Sequence, residues 1–529
     1  MTLDGKPGKT DFIPSVNNKL PYEIILEDNL QSESYNGIIL ISRVSSTCSV
    51  VKELESLNNV LDVAVEIDRT VDDQGGVFQT TLPSRRLVYS PVGTLGDYDD
   101  VRSFHEAAAH GIKRALSAGV TKPLLILPQH PDFPKCQLVS LLGALSALYS
   151  GIQFREHEPN KFPKLTKLAI FNPSTSPEIK GIVETAKALE SARWVARDIG
   201  VGDPERMTPA AAEAYVQQVF DKSNVEIRVV SDVDELQKEY PLFAAVNRGA
   251  SGVERHRGRV VWLKYKPKSG EVKRSIVLVG KGVTFDTGGV DVKINGASVG
   301  MSRDKCGAAA VAGFMQLVSI LAPADVEIIG ALCLVRNSIG SNAYTADEVI
   351  VSRAGKRVRI GNTDAEGRMA MADVLCEAKE LASCLPDPHL YTIATLTGHA
   401  WLYAQCYSIV MCNGPAREGK INSQLVESGQ KIGDPFESST LQREDFSSHK
   451  ESHEYSEILQ AHSKPSVQTC RGHQGPAAFL IMASGLQEHG LKAETPLKYS
   501  HLDIAGSAGD FPYDPTGAPI LALAENYLL

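Results

Sequence analysis

The sequence is poor in the features that mark several protein classes. Its 529 residues carry only nine cysteines, scattered as Cys48, Cys136, Cys306, Cys333, Cys376, Cys384, Cys406, Cys412 and Cys470. None belongs to a Cys-x-x-Cys pair. The expectation is therefore reduced, mostly buried thiols in a cytoplasmic protein rather than a disulfide framework. A net positive charge is also lacking. The net charge is −9, which argues against a general nucleic-acid binder, because no strong field exists to displace counterions from phosphates. The opening stretch MTLDGKPGKTDFIPSVNNKLPYE has no apolar core, so no secretory signal is expected. The most apolar run, Cys306 to Ala324, includes Gln316 and Ser319 and is interrupted by Pro323, which fits a buried helix better than a membrane span. There are no repeats, no low-complexity segment and no Gly-x-Ser-x-Gly elbow of a serine hydrolase.

What is present is an ordinary globular composition, 43% hydrophobic and 22% charged, enough to bury a normal core without disulfides. In the first third, apolar runs at Ile38–Ile41, Leu87–Tyr89, Leu124–Leu127 and Leu168–Phe171 read as strands. Helical spacing at Val101–Ala118 and Gln137–Tyr149 lies between them. A long helical pattern runs from Pro177 to about Ile199 and stops at Gly200-Val201-Gly202-Asp203-Pro204. Thr208 and Pro209 read as the N-cap and first residue of the next helix. Further strands are predicted at Val225–Val230, Val260–Tyr265, Ser275–Val279, Val326–Leu334, Tyr391–Thr395 and Tyr499–Asp503. Helices are predicted at Val233–Glu239, Gly307–Leu321 and Glu366–Ala382. The expected fold is α/β throughout: an N-terminal α/β domain (1–175), a linking helix (176–202) and a larger C-terminal α/β domain (203–529) with a central mixed sheet flanked by helices.

In open α/β sheets, ligands bind beyond the carboxyl ends of the strands. The segment after Ser275–Val279 is Gly280-Lys281-Gly282-Val283-Thr284-Phe285-Asp286-Thr287-Gly288-Gly289. A phosphate loop is excluded, since Ser275 stands where its first Gly belongs and Gly282 where its Ser or Thr belongs. The acids are more informative. Asp286 sits in a glycine-flanked turn, Asp304 precedes a helix, and Asp364 and Glu366 stand just ahead of another. One acid at a helix N-terminus reads as a cap. Four of them converging would repel one another unless two divalent cations balanced them, as in two-metal hydrolases. His449 and His453 have the spacing of a zincin helix, but Lys450 replaces the required Glu and the surrounding HKESHEYSE is strongly polar, so a solvated surface segment is expected.

These residues carry a resemblance. Asn362-Thr363-Asp364-Ala365-Glu366-Gly367-Arg368 matches the signature of the leucine aminopeptidase (cytosol aminopeptidase) family, and Val279 to Gly289 matches its other hallmark. Ser341-Asn342-Ala343-Tyr344, Ala394-Thr395-Leu396-Thr397-Gly398 and His501-Leu502-Asp503-Ile504-Ala505-Gly506 extend the likeness over roughly 180–529. Gly202 to Pro209 resembles the branch called probable aminopeptidase or aminopeptidase-like. The resemblance implies metal ligands at Lys281, Asp286, Asp304, Asp364 and Glu366, with Asp286 and Glu366 bridging two ions. Zinc is implied, with manganese or magnesium at the exchangeable site. Lys293 and Arg368 would be catalytic, Arg368 holding a bicarbonate that serves as base. Met301, Asn362, Thr395, Leu396 and Gly398 would meet the substrate. Lys281 could ligate only as the neutral amine, which nearby cations and burial would favour. Peptide substrates, a metal-activated water, leucyl-type specificity, a cytoplasmic homohexamer and no membrane or nucleic-acid partner follow from the same likeness.

The chain departs from its relatives at Arg303 and Lys305, which flank Asp304 and are expected to alter metal affinity or the first substrate pocket. Arg336-Asn337-Ser338 and His399 are also unusual, the latter expected to pack. Ser439–Gly472 matches poorly and falls where relatives place substrate-side loops. Two other functions fit the same residues. One is a non-catalytic hexameric binding or structural protein that retains the fold. The other is a two-metal phosphoesterase, which would not explain Lys281.

Overall fold

The computed structural model describes residues 12–17, 19–42, 54–173, 176–268, 270–452 and 454–529. Residues 1–11 of the polar opening stretch, Cys48 and His453 lie outside the described residues.

The N-terminal strands are β1 (Glu23–Glu27), β2 (Gly37–Ser42), β3 (Gly76–Gln79), β4 (Arg86–Pro91), β5 (Pro123–Ile126) and β6 (Lys167–Phe171). They form one sheet in the order β1-β6-β5-β2-β4-β3. All pairings are parallel except that of the edge strand β3 with β4. Alternation sets the faces. Ile38 and Leu40 join Leu57 and Leu61 of the helix Glu55–Ile67, while Ile39 and Ile41 join the opposite core with the helices Arg102–Ser117 and Cys136–Ala147. Each strand expected from sequence lies in β2, β4, β5 or β6. The two that sequence reading omits, β1 and β3, are edge strands and half exposed.

The later strands are β7 (Val225–Val230), β8 (Arg259–Tyr265), β9 (Arg274–Asp286), β10 (Val326–Asn337), β11 (Val349–Val351), β12 (Arg357–Arg359), β13 (Pro388–Ala394), β14 (Ser408–Cys412), β15 (Phe436–Thr440), β16 (Ile458–Leu459) and β17 (Lys498–Asp503). Eight of them make a mixed sheet in the order β15-β14-β17-β13-β9-β10-β8-β7, and β11, β12 and β16 make a small separate one. At the centre, β9 runs parallel to both β10 and β13. It is buried over Ser275–Thr284 and apolar over Ile276–Val279, as a strand covered on both faces must be.

Its alternation sorts the covering helices. Ile276 and Leu278 share a core with the helix Cys306–Leu321, and Val277 and Val279 share one with the helix Glu366–Ala382. The first helix leads into β10 and the second into β13, both parallel to β9. Each must therefore start at the carboxyl edge of the sheet. Sequence order alone delivers Asp304 and Glu366 to the place where β9 ends in Asp286.

The apolar run Cys306–Leu321 is a core helix. Its Gln316 donates to Ser191 Oγ at 3.1 Å on the long helix Pro177–Val201. That helix is capped by Ser176, whose Oγ accepts from Glu178 N at 3.2 Å. It shares one continuous core with both sheets, and its buried Glu190 is held by Arg193 (2.8 Å) and Arg197 (2.7 Å). Thr208 caps the next helix through Ala211 N at 3.2 Å, and Pro209 stands in its first turn.

Candidate metal centre

Four acid and two lysine side chains meet at the carboxyl edge of the large sheet. Lys281 Nζ lies 2.7 Å from Asp304 Oδ1 and 3.0 Å from Glu366 Oε1, and donates to Thr395 O at 2.9 Å. Lys293 Nζ lies 2.9 Å from Asp286 Oδ2 and 2.5 Å from Asp364 Oδ1, which brings in the remaining pair. Ligand atoms of Asp286, Asp304 and Glu366 all fall within 4.8 Å of one another. Asp286 Oδ1 accepts from Gly288 N and from Asn337 Nδ2, both at 2.8 Å. Gly288 holds φ +86°, and a Cβ there would meet Asp291 O at 2.4 Å, so the turn that presents Asp286 needs glycine.

The acids at the two helix starts are not caps. Neither helix has a side-chain hydrogen bond at its N-cap, which is Lys305 in one and Ala365 in the other. Asp304 Oδ2 and Glu366 Oε2 are instead buried without a hydrogen-bond partner among the described residues. Buried, unpartnered carboxylate oxygens are costly. Four carboxylates face only two ammonium groups. Oxygen donors with an unbalanced negative charge fit hard divalent cations.

The electrostatics agree. Burial, reinforced by Asp286, holds the Glu366 carboxyl well above its ordinary range. Burial and then Asp286 push Asp364 up to about 7. Burial also raises Asp304, despite Lys281. For Lys281, burial acts to lower the ammonium, but Asp304, Glu366 and Asp286 outweigh it and the net direction is upward. Lys293 behaves alike, with Asp286, Glu366 and Asp364 outweighing burial. Without metal, then, the lysines are the countercharges of the cluster.

A cavity of about 1160 Å³ opens over the cluster, and all twelve side chains or backbone positions named from sequence line it: Lys281, Asp286, Lys293, Met301, Asp304, Asn362, Asp364, Glu366, Arg368, Thr395, Leu396 and Gly398. Thr395 Oγ1 donates to Asp304 Oδ1 at 3.0 Å. Arg368 donates to Gln460 O at 3.0 Å, and its guanidinium carbon lies 5.9 Å from the Phe479 ring centre. Its Nε has no partner among the described residues, and burial lowers its pKa to about 10. A buried guanidinium with an unpartnered nitrogen beside the cavity is a donor suited to a small planar anion.

Several important residues escape sequence reading. Gln460 is fully buried and organises the heptapeptide. Its Oε1 accepts from Gly361 N and Asn362 N, each at 3.1 Å, while its Nε2 donates to Asn362 O (2.8 Å) and Ala365 O (2.9 Å). Asp291 Oδ2 accepts from Thr363 N at 2.7 Å, tying the Lys293 loop to the same segment. Asp503 accepts from Leu396 N (3.2 Å) and Thr397 Oγ1 (2.8 Å), behind the loop that meets Lys281. No spacing rule links these pairs; only the fold does.

Four expectations are revised or resolved. His449 is not on a solvated surface: it is 3% exposed, lines the cavity, and its ring nitrogens lie 2.7 Å from Leu459 O and 2.9 Å from Gly475 O. Burial, then Arg368, lowers its pKa to about 4. Most of the rest of the run does face solvent, with Lys450, Ser452, Glu454, Tyr455 and Glu457 exposed; among its described residues only His449 and Ser456 are buried. Lys305 does not face the cavity; it is buried and donates to Gly202 O at 2.8 Å and to Ser302 O, and burial lowers it to about 8. Arg303 does line the cavity. His399 does not; its Nδ1 lies 2.8 Å from His473 Nδ1. Much of 439–472 forms the cavity wall, as expected.

A carboxylate-rich candidate metal centre thus stands at the strand ends of a mixed α/β sheet. Residues 194–524 match the model of the cytosol aminopeptidase family, catalytic domain. A Caenorhabditis elegans protein, provisionally named aminopeptidase W07G4.4, is 41% identical over 526 residues, covering 97% of this chain and 99% of the relative. A Helicobacter hepaticus protein named probable cytosol aminopeptidase is 31% identical, covering 72% of this chain and 74% of the relative. Among solved structures, the bottromycin maturation enzyme BotP in complex with Mn shares the fold with a TM-score of 0.73 at 21% identity, covering 93% of this chain and 98% of that one. The chain belongs to the cytosol aminopeptidase family, and with it to the metal-dependent aminopeptidases.

Proposed function

We propose that the protein releases N-terminal amino acids from peptides by a two-metal mechanism. The observation that carries this reading is the cluster of Asp286, Asp304 and Glu366, with ligand atoms within 4.8 Å and two carboxylate oxygens left unpartnered. Lys281, Asp286, Asp304, Asp364 and Glu366 would hold the ions, with Asp286 and Glu366 shared between them. Two bound dications would supply a water that is nucleophilic near neutral pH and a Lewis acid for the scissile carbonyl.

The chain's own residues do the rest. Lys281 must give up its proton to ligate, and the carboxylates that now favour its ammonium are those whose charge the ions would neutralise. Lys293 would then be released from Asp286 and Asp364 to donate to the developing oxyanion. Arg368, whose Nε is unpartnered among the described residues, would hold bicarbonate as the base. Met301, Asn362, Thr395, Leu396 and Gly398 would receive the first residues of the substrate. With ions held there, the cluster would also anchor a free α-amine by coordination, which would restrict cleavage to the N-terminus. Zinc, with manganese or magnesium at the exchangeable position, leucyl-type substrates, a cytoplasmic homohexamer and the division at 176–202 complete the reading.

The test is hydrolysis of leucine or methionine amides of a chromogenic amine by protein loaded with Mn or Zn. Asp364→Ala and Lys293→Ala should abolish it while circular dichroism shows a native fold. Retained hydrolysis in both variants would refute the assignment.

A further inference from the structure

Among the described residues five arginines are buried: Arg155, Arg193, Arg197, Arg303 and Arg368. The first three are paired with carboxylates, Arg155 with Asp198 and the other two with Glu190. The last two are not, and both line the catalytic cavity. Arg368 has a place in the proposed reaction; Arg303 has none.

Arg303 closes the short turn Met301–Arg303, which follows Gly300 in a left-handed conformation (φ +84°) and runs directly into Asp304. Its Nη2 donates to Tyr513 O, and its guanidinium carbon lies 6.0 Å from the Phe511 ring centre. Nε and Nη1 have no hydrogen-bond partner, and no carboxylate comes within 4.0 Å of the group, among the described residues. The residue is only 7% exposed, so water does little to compensate. Its basic neighbour Lys305 is turned away to Gly202 O and adds no anion. A guanidinium in this state lacks the charged partner that buried arginines require.

We propose that Arg303 makes the site selective for peptides whose first residue is aspartate or glutamate. This deepens the aminopeptidase reading and rests on it. The turn that carries Arg303 also carries Met301 into the cavity and is one peptide unit from Asp304. A substrate whose α-amine sits at the carboxylate cluster thus projects its first side chain towards this wall. A side-chain carboxylate against this guanidinium supplies the missing countercharge and an acceptor for its buried, unpartnered nitrogens. An amide of the same shape supplies a weaker one, and leucine leaves the cation unpaired.

The experiment compares kcat/KM for glutamate, glutamine, aspartate, asparagine and leucine amides of one chromogenic amine, using the full-length metal-loaded protein. Glutamate should exceed glutamine, and aspartate asparagine, by roughly 10- to 100-fold, the range of a hydrogen bond to a charged group. Arg303→Met should bring both ratios near one, and Arg303→Lys should restore part of them. A purely structural Arg303 would lower both members of each pair together and leave the ratios intact, which overturns the proposal. If Arg303→Met does not fold, the wild-type ratios decide: acid-to-amide ratios at or below one, with leucine amide cleaved, overturn the proposal and leave the aminopeptidase reading standing. Silence on every substrate overturns both.

Discussion

Asn337 Nδ2 donates to Asp286 Oδ1 at 2.8 Å, and the same nitrogen reaches Thr363 O at 3.1 Å. One fully buried amide at the end of β10 thus fixes a carboxylate at the end of β9 against the segment that carries Asp364 and Glu366. Groups that orient metal ligands tune the site nearly as strongly as the ligands do.

Asn337→Ala should therefore lower metal affinity or kcat by about 10- to 100-fold, with Asp286 itself intact. Calorimetric titration with Mn, alongside a far-ultraviolet spectrum unchanged from wild type, checks it. Wild-type affinity and kcat in the variant would show that Asp286 needs no such support.

Gly367 explains a letter of the heptapeptide. A Cβ there would lie 2.7 Å from Lys281 Nζ and 2.5 Å from Lys281 Cε. Since the clash is with the far end of a flexible side chain, Gly367→Ala should fold, displace Lys281 and lose metal. Elemental analysis of the purified variant should find less bound metal than in wild type.

Much of this was legible beforehand. Asp286, Asp304, Asp364 and Glu366 could be placed at one sheet edge because a strand–helix–parallel strand order forces helix starts to the strands' carboxyl ends. Lys281 and Lys293 needed the family resemblance. Asn337, Gln460 and Asp503 were not legible, because a buried amide or acid whose partners lie far along the chain leaves no local pattern. Gln460 is 98 residues from Asn362. His449 is hidden for the same reason: its neighbours in sequence are mostly exposed, and only its contacts with Leu459 O and Gly475 O place it inside. The sequence pattern does not announce β14 or β15 either, although β14 is buried throughout.

The fold also stores a pH dependence away from the metal site. Asp373, fully buried on the helix Glu366–Ala382, accepts from Leu242 N (2.6 Å) and Arg353 N (2.7 Å). Burial raises it from 3.8 to about 7. The folded state thus holds this proton more tightly than the unfolded chain. Its contribution to stability is complete below pH 3.8 and is lost as pH rises towards 7. Asp373→Asn should flatten that part of the curve of Tm against pH relative to wild type. An identical slope in both proteins would place the titration elsewhere.

Removal of metal should destabilise the protein. With the ions gone, four carboxylates are balanced only by Lys281 and Lys293. Free metal at a hundred times its dissociation constant stabilises a single site by about 2.7 kcal/mol. Differential scanning fluorimetry should show Tm falling on chelation and recovering on adding Mn or Zn. A Tm indifferent to chelator would mean that the cluster binds no ion.

The most direct measurement is the rate of amine release from a chromogenic aminoacyl amide with a free α-amine and from its N-acetylated twin, by protein whose metal content has been determined. A two-metal aminopeptidase should contain two ions per chain, cleave the free-amine substrate and leave the acetylated one untouched. Two bound ions with no cleavage across a broad panel of first residues would contradict the account and make the protein a binding or structural member of its family.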